Sequence, residues 1–398
     1  MLKTADIIVF VLYFILVSSY GLWIYRRKKN IKETSTDFFL AEGSLTWWAI
    51  GASLIASNIS AEQFIGMSGS GFKLGLAIAA YEWLAAASLI IVAVFFMPIY
   101  LKNRIFTMPQ FLKTRYNETV ALIMAIFWLF LYITVNLTSI LYLGTLAINN
   151  LAGGDNFHLI MIGLAFFALL ITLGGMKVIG YTDVIQVVVL IIGGLVTSYI
   201  ALTLVSEQFG LGSNILAGFN ALLDRAPEHF NMIFDKPRPD SSKEQISNYV
   251  DLPGVGMLIA GMWIANLNYW GCNQYITQRA LGADLQTARK GILFAAFLKL
   301  MMPLIVVLPG IAAYVLYKNG GLQAEMLTNG ELRNDNAYSA ILGFLPTGLK
   351  GLSMAALTAA IVASLAGKAN SIATIYTLDI YKKYVNKDAP DNKLVWMG

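Results

Sequence analysis

The sequence predicts an all-α polytopic membrane protein, and three observations predict it. Of the 398 residues, 57% are hydrophobic and only 13% charged, with a mean hydropathy of +0.65, whereas soluble domains carry about 25% charged residues. The apolar residues gather into nine stretches of bilayer length separated by polar loops, which suits helices, since barrel strands are about ten residues long and alternate in polarity. Two of those stretches are interrupted by clustered glycine and polar residues, a pattern with no use in a lipid-facing helix, because each unpaired polar group in hydrocarbon costs several kcal/mol.

The first stretch, 5–25, is too long for a signal-peptide core, and its basic cluster Arg26, Arg27, Lys28 and Lys29 follows it rather than preceding it, so it reads as a retained helix. The others are 46–69, 75–100, 118–149, 157–176, 181–205, 253–276, 291–317 and 345–380. Several exceed the roughly 20 residues needed to cross, so tilt or kinking is expected. Segment 206–252, with Pro227, Pro237 and Pro239, reads as an extracellular or periplasmic excursion, and 319–344 as a shorter one. Neither has the pattern of a separate domain, so residues 1–398 read as one membrane domain. A single cysteine, Cys272, excludes an intrachain disulfide and a cysteine-based zinc site. His158 and His229 lie far apart and read as loop or interface residues.

Orientation follows from the basic residues. With the N-terminus outside, segments 26–32, 101–117, a turn at 177, 277–290 and 381–398 face the cytoplasm and hold 17 of the 28 Lys and Arg residues. Residue 398 then lies on the cytoplasmic side. The net charge of +5 needs no nucleic acid to account for it.

The interrupted stretches are the second and the seventh. Residues 51–83 carry Asn58, Ser60, Glu62, Gln63, Ser68 and Ser70 with several glycines, and residues 261–279 carry Asn266, Asn268, Gly271, Asn273 and Gln274. Two broken helices, each followed by long intact ones, point to an inverted-repeat transporter whose helices open near the bilayer midplane. Polar pairing between packed helices is the plainer alternative.

The motifs SNISAEQFIGMSGSG (57–71), YEW (81–83), VNLTSILYLG (135–144), YTDVIQV (181–187), NYWGCNQYITQR (268–279), AAFLKL (295–300) and NSIATIYTLDIYK (370–382) resemble the sodium/solute symporter family over essentially the whole chain. The resemblance implies a LeuT-type fold: a leading helix (5–25), a first repeat of five helices (46–205) and a partial second repeat (253–380). The family continues through at least two more core helices, so the resemblance also implies that this chain is truncated, with an incomplete second repeat.

By resemblance, Gln63, Glu82, Asn266 and Lys299 contact a sugar, with Asn58 beside them. Glu82 and Lys299 also stand out physically, as ionisable residues deep in apolar spans that call for a functional role or a partner; a structural ion pair is the alternative. Amides, a carboxylate and an ammonium suit sugar hydroxyls, which both donate and accept. Tyr269 matches an inner gate, and Met67 and Tyr81 an outer lining; an interfacial tyrosine belt is the alternative for Tyr269. A family serine three residues after the site glutamate is Ala85 here. The sodium site would take carbonyls of Ala56, Ile59 and Ala360 and the Ser364 hydroxyl, with a second family hydroxyl replaced by Ala363. Lys368, one turn beyond Ser364, either reaches that site or, as the favoured reading has it, snorkels to the cytoplasmic surface. Asp183 matches a carboxylate on the ion path or, alternatively, caps a helix.

The resulting expectation is sodium-coupled symport of a galactose- or glucose-class sugar across the plasma membrane, with co-transported sodium, the sugar and the lipid bilayer as partners and no obligate protein partner. Another solute (a polyol, an amino acid or other carboxylate) or a solute sensor on a transporter core are the alternatives. No catalytic triad, phosphate loop or metal motif is present, and an enzyme is not expected.

Overall fold

Long apolar stretches satisfy their backbone groups internally only as helices, and the computed structural model is accordingly almost all helix. It describes residues 3–28, 34–41, 43–60, 62–154, 156–328 and 330–398. Lys29, part of the basic cluster, and residues 30–33 lie outside the described residues.

Among the described residues, seven helical runs are long and apolar enough to cross a membrane, against nine expected stretches. The difference arises at two places. The second stretch divides into Trp47–Asn58, too short to cross alone, and a portion that runs on through a tight turn into the third, giving a continuous helical run Glu62–Lys102. The fifth, Phe157–Thr172, has 16 residues. The leading helix is Thr4–Lys28, so Arg26, Arg27 and Lys28 ride on its last turns, where cations complement the carbonyl end. Lys177 is likewise not in a turn: it lies in the first turn of Gly175–Gln208.

The turn between the second and third stretches depends on Gly75. Its φ of 67° and ψ of −146° lie in a region open essentially to glycine alone, and a Cβ there would fall 2.2 Å from the His229 carbonyl oxygen. That carbonyl belongs to the short helical turn Pro227–Phe230 of the 206–252 excursion. The excursion also holds helices Ile215–Arg225 and Lys243–Asp251, so it is a folded cap. His229, read from the sequence as a loop or interface residue, is buried on this turn: its ring stacks on Tyr314 at 3.8 Å, and Nε2 lies 3.0 Å from the Phe72 carbonyl. The second excursion carries a two-residue antiparallel ladder, Leu327–Thr328 with Glu331–Leu332, then helix Asn336–Gly343.

Three helices form the centre. Gly175–Gln208 packs along Leu349–Ile375, and Leu285–Lys318 packs against both halves of the broken Trp47–Leu74 segment. Small residues allow the close approach: a Cβ on Gly310 would sit 2.1 Å from the Ser68 carbonyl oxygen, and one on Gly291 2.8 Å from Ile50. Leu285–Lys318 starts from an Asp284 cap that accepts from the amides of Gln286 and Thr287. It contains Pro303 and Pro309, and Ser198 Oγ donates to the Leu304 carbonyl between them (2.5 Å). Leu349–Ile375 is buried on nearly every side, whereas the leading helix and 118–152 expose their apolar faces.

Candidate functional site

Both expected interruptions are real breaks in the helical backbone. Trp47–Asn58 ends at Ile59 (φ −79°, ψ 110°) and resumes at Glu62 through a π-helical turn, with Ala61 outside the described residues. Met262–Cys272 ends at Asn273 (φ −91°, ψ 125°), and Gln274–Leu281 follows. Neither break contains proline; each is held by side chains from elsewhere. Tyr132 OH donates to Asn273 Oδ1 and accepts from the Gln274 amide (3.3 Å), while Gln274 Oε1 accepts from the Met108 amide (2.7 Å). Gln278 Nε2 donates to the Phe39 carbonyl (2.6 Å) and Thr374 Oγ1 (2.7 Å), and Oε1 accepts from Ser371 Oγ (2.8 Å). The whole of Gln274–Leu281 is buried.

Between the two broken helices and Leu285–Lys318 lies a cavity of about 230 Å³. Asn58, Gln63, Glu82, Asn266 and Lys299 all line it, as do Met67, Tyr81 and Tyr269. Lys299 Nζ lies 2.5 Å from Glu82 Oε2, and Gln63 Nε2 donates to Glu82 Oε1 (2.5 Å). Asn58 Nδ2 donates to Tyr269 OH (3.0 Å), closing one side; Asn266 Nδ2 turns back to the Met262 carbonyl (3.0 Å). Glu82 and Lys299 therefore form an ion pair and face the cavity together. Their attraction is strong at low dielectric, but so is the cost of removing both from water, so the pair adds little net stability. Ala85 also lines the cavity.

Trp270 and Ala265 are the lining residues that sequence reasoning missed. Trp270 is buried, with its ring centroid 5.4 Å from Lys299 Nζ, a cation–π contact with the ammonium. The only signal was its place beside Tyr269 in the YWG motif.

A second polar centre sits at the carbonyl end of Trp47–Asn58. Ser364 Oγ, on Leu349–Ile375, lies 2.9 Å from the Ser57 carbonyl oxygen, 3.3 Å from that of Ile59 and 3.5 Å from that of Ala56. Ala56, Ile59 and Ser364 thus meet as expected, Ser57 joins them, and Ala360 is buried one turn before Ser364. Ala363 is buried beside it and has no side-chain oxygen.

One alternative, the Asp183 cap, and one expectation, the snorkelling of Lys368, fail around this centre. Asp183 does not cap a helix: it lies well inside Gly175–Gln208, accepts from Ser53 Oγ (2.5 Å) and pairs with Arg279 Nη2 at 3.9 Å. Arg279, which counts as a loop cation in the orientation argument, is wholly buried, and its Nε also donates to Ser53 Oγ (2.7 Å). Lys368 does not snorkel. It is 4% exposed, its Nζ lies 4.3 Å from the Tyr275 ring centroid, and it forms no hydrogen bond or ion pair among the described residues. Its helix is enclosed by protein, so the four-carbon stem has no aqueous interface within reach.

Paired broken helices around a cavity lined by ionisable residues at bilayer depth define an inverted-repeat membrane transporter. The chain belongs to the sodium:solute symporter family, whose model matches residues 38–398. It is 49% identical over 405 residues to a sodium/glucose cotransporter of Vibrio parahaemolyticus, an alignment that takes in all of this chain and 72% of that protein. It is 35% identical to sodium/myo-inositol cotransporter 2 of Mus musculus, again over the whole chain, which spans 59% of that protein's length. A solved structure described as the substrate-bound outward-open state of a Na+-coupled sialic acid symporter superposes with a TM-score of 0.84 at 21% identity, over 99% of this chain and 78% of that one. The architecture is therefore the LeuT-type fold, with the second repeat present in part.

Proposed function

We propose that the protein is a sodium-coupled symporter of a small neutral sugar of the galactose or glucose class, and that residues 1–398 form its membrane domain. The observation that carries this reading is the convergence of three amides, a carboxylate and an ammonium on one cavity beside a cluster of carbonyl and hydroxyl oxygens. Glu82 and Lys299 balance each other in charge, which suits a neutral solute; an anion would call for an unopposed cation. Asn58, Gln63, Glu82, Asn266 and Lys299 would hold sugar hydroxyls, with Trp270 supporting Lys299. Tyr269 would gate from one side, with Met67 and Tyr81 lining the other.

Sodium, a hard ion, would sit among the Ala56, Ser57 and Ile59 carbonyls and Ser364 Oγ, with Ala360 completing the set. The C-terminal end of Trp47–Asn58 adds the negative end of a helix dipole there. Because both sites share the first broken helix, sodium would stabilise the arrangement that binds sugar, and rocking of one repeat against the other would expose both to the opposite side. Asp183 would lie on the ion's path, beside Arg279. One sodium moving down 100 mV supplies about 2.3 kcal/mol, enough for roughly forty- to fifty-fold accumulation at about 1.4 kcal/mol per tenfold. The basic-residue pattern supports an N-terminus outside and residue 398 on the cytoplasmic side of the plasma membrane, with 206–252 as the outer cap.

The myo-inositol relative makes a polyol the second reading. Tracer uptake of galactose, glucose and myo-inositol by the full-length protein in proteoliposomes, with and without an inward sodium gradient, separates these. Sodium-driven uptake of a hexose is expected; preference for myo-inositol would move the assignment to polyols, and sodium-independent uptake would contradict the coupling.

A further inference from the structure

We propose that Lys368 is a tethered cation that competes electrostatically with sodium at the carbonyl end of the first broken helix, and so sets the sodium affinity of this protein. The inference rests on the sodium reading of the Ser364 cradle and deepens it.

The placement is specific. Lys368 lies one turn after Ser364 on the same face of Leu349–Ile375, and helical side chains lean back toward the N-terminus of their helix, so its stem runs toward the level of Ser364. The intervening residue shows how tightly this stretch meets the first broken helix. A Cβ on Gly367 would fall 2.2 Å from Arg279 Nη2 and 2.9 Å from Ser57 Oγ, and Ser57 supplies one of the cradle carbonyls.

Lys368 forms no ion pair among the described residues. Arg279, on Gln274–Leu281, already has Asp183 from Gly175–Gln208. Glu62, on the π-helical turn after the first break, and Arg279 are the charged groups that face Lys368. Glu62 is itself engaged by Ser139 Oγ and lies 3.5 Å from Ser60 Oγ. The helix that carries Lys368 offers no acid in Leu349–Ile375. Its ammonium rests instead on the Tyr275 face, which attracts a cation without neutralising it.

Two seats of different chemistry therefore share one low-dielectric region. Sodium takes hard carbonyl and hydroxyl oxygens; the ammonium takes an aromatic face. Like charges repel strongly where water is excluded, so each sodium that binds must do so against a resident positive charge. Ala363, with no side-chain oxygen to offer, adds no hydroxyl to offset that repulsion.

The test is direct binding of radioactive sodium to the purified full-length protein. Lys368→Met, which removes the charge and keeps a linear stem, is expected to tighten sodium binding at least tenfold, whereas Lys368→Arg, which keeps the charge, should stay within about threefold of the parent. Ser364→Ala should weaken sodium binding in both the parent and the Lys368→Met background. Equal affinities for Lys368→Met and the parent would overturn the proposal, as would equal shifts for Met and Arg, since packing alone would then suffice. Unchanged binding in Ser364→Ala would overturn the cradle reading and the proposal with it. Lys368→Gln makes the same comparison if the Met variant fails to fold.

Discussion

Glu82 and Lys299 form a buried ion pair at the proposed sugar site. Each was transferred out of water at a cost that their attraction alone does not clearly repay, and both remain aimed at the cavity. Lys299→Ala should therefore have two effects: loss of sugar binding, and destabilisation by about 3–5 kcal/mol because Glu82 is left buried and unpaired. The double variant Glu82→Gln with Lys299→Met should recover thermal stability but not binding, measured by unfolding in detergent beside tracer binding; recovery of binding would remove the pair from the site. Gln63→Ala should abolish binding with little loss of stability, since Glu82 keeps its lysine. At this scale the sequence was informative wherever a polar side chain interrupts an apolar span, which is how Asn58, Gln63, Glu82 and Lys299 stand out. It was mute where the functional atom is a backbone carbonyl, as at Ser57, or an aromatic that reads as ordinary core, as at Trp270. It misled at Arg279 and Lys368, where a cation near a span end implies an aqueous interface and tertiary packing instead encloses it.

The helix breaks work as elements because other elements fix their ends. Gly75 closes the turn after the first broken helix against the backbone of His229, so Gly75→Ala should cost about 1–3 kcal/mol in backbone strain and displace the outer cap, which limited proteolysis of 206–252 would report. Unaltered proteolysis and stability would show that the turn tolerates a Cβ. The same contact carries a pH dependence. Burial holds the His229 imidazole below its ordinary value near 6.5, against smaller opposing effects of the Phe72 carbonyl, Glu228 and Glu244. The unfolded chain then binds a proton that the folded cap refuses. Stability from this contact is complete above about pH 7 and declines as pH falls through the unfolded value of about 6.5. Thermal unfolding from pH 8 to pH 5 should show that decline in the parent and a flatter profile in His229→Gln; identical profiles would contradict it. The existence and rough placing of both breaks were legible from the density of polar residues. Their closure was not, because Tyr132, Met108 and Phe39, which hold the second break, come from segments far away in sequence.

Across the whole molecule, the central helices join the two polar centres. Leu285–Lys318 carries Lys299 into the cavity and packs on both halves of the first broken helix, while Leu349–Ile375 brings Ser364 to the carbonyl end of that same helix. A ligand at either proposed site would therefore act on one shared element, which would couple the two, and coupling between equilibria is reciprocal. The helical membrane class was evident from composition, and the family from motifs that run the length of the chain. The count of spans was less secure, because a stretch that breaks and then continues through a turn does not divide at the polar residues that mark it. The central claim is that sodium at the Ser364 cradle promotes sugar binding at the Glu82–Lys299 cavity. The most direct test is the sugar affinity of the full-length protein at saturating sodium and in choline, for the parent and for Ser364→Ala. The account predicts that sodium tightens sugar binding at least fivefold in the parent, a coupling of about 1 kcal/mol, and that Ser364→Ala loses this enhancement while its affinity in choline is unchanged. Equal sugar affinity with and without sodium in the parent, or full enhancement in Ser364→Ala, would contradict it.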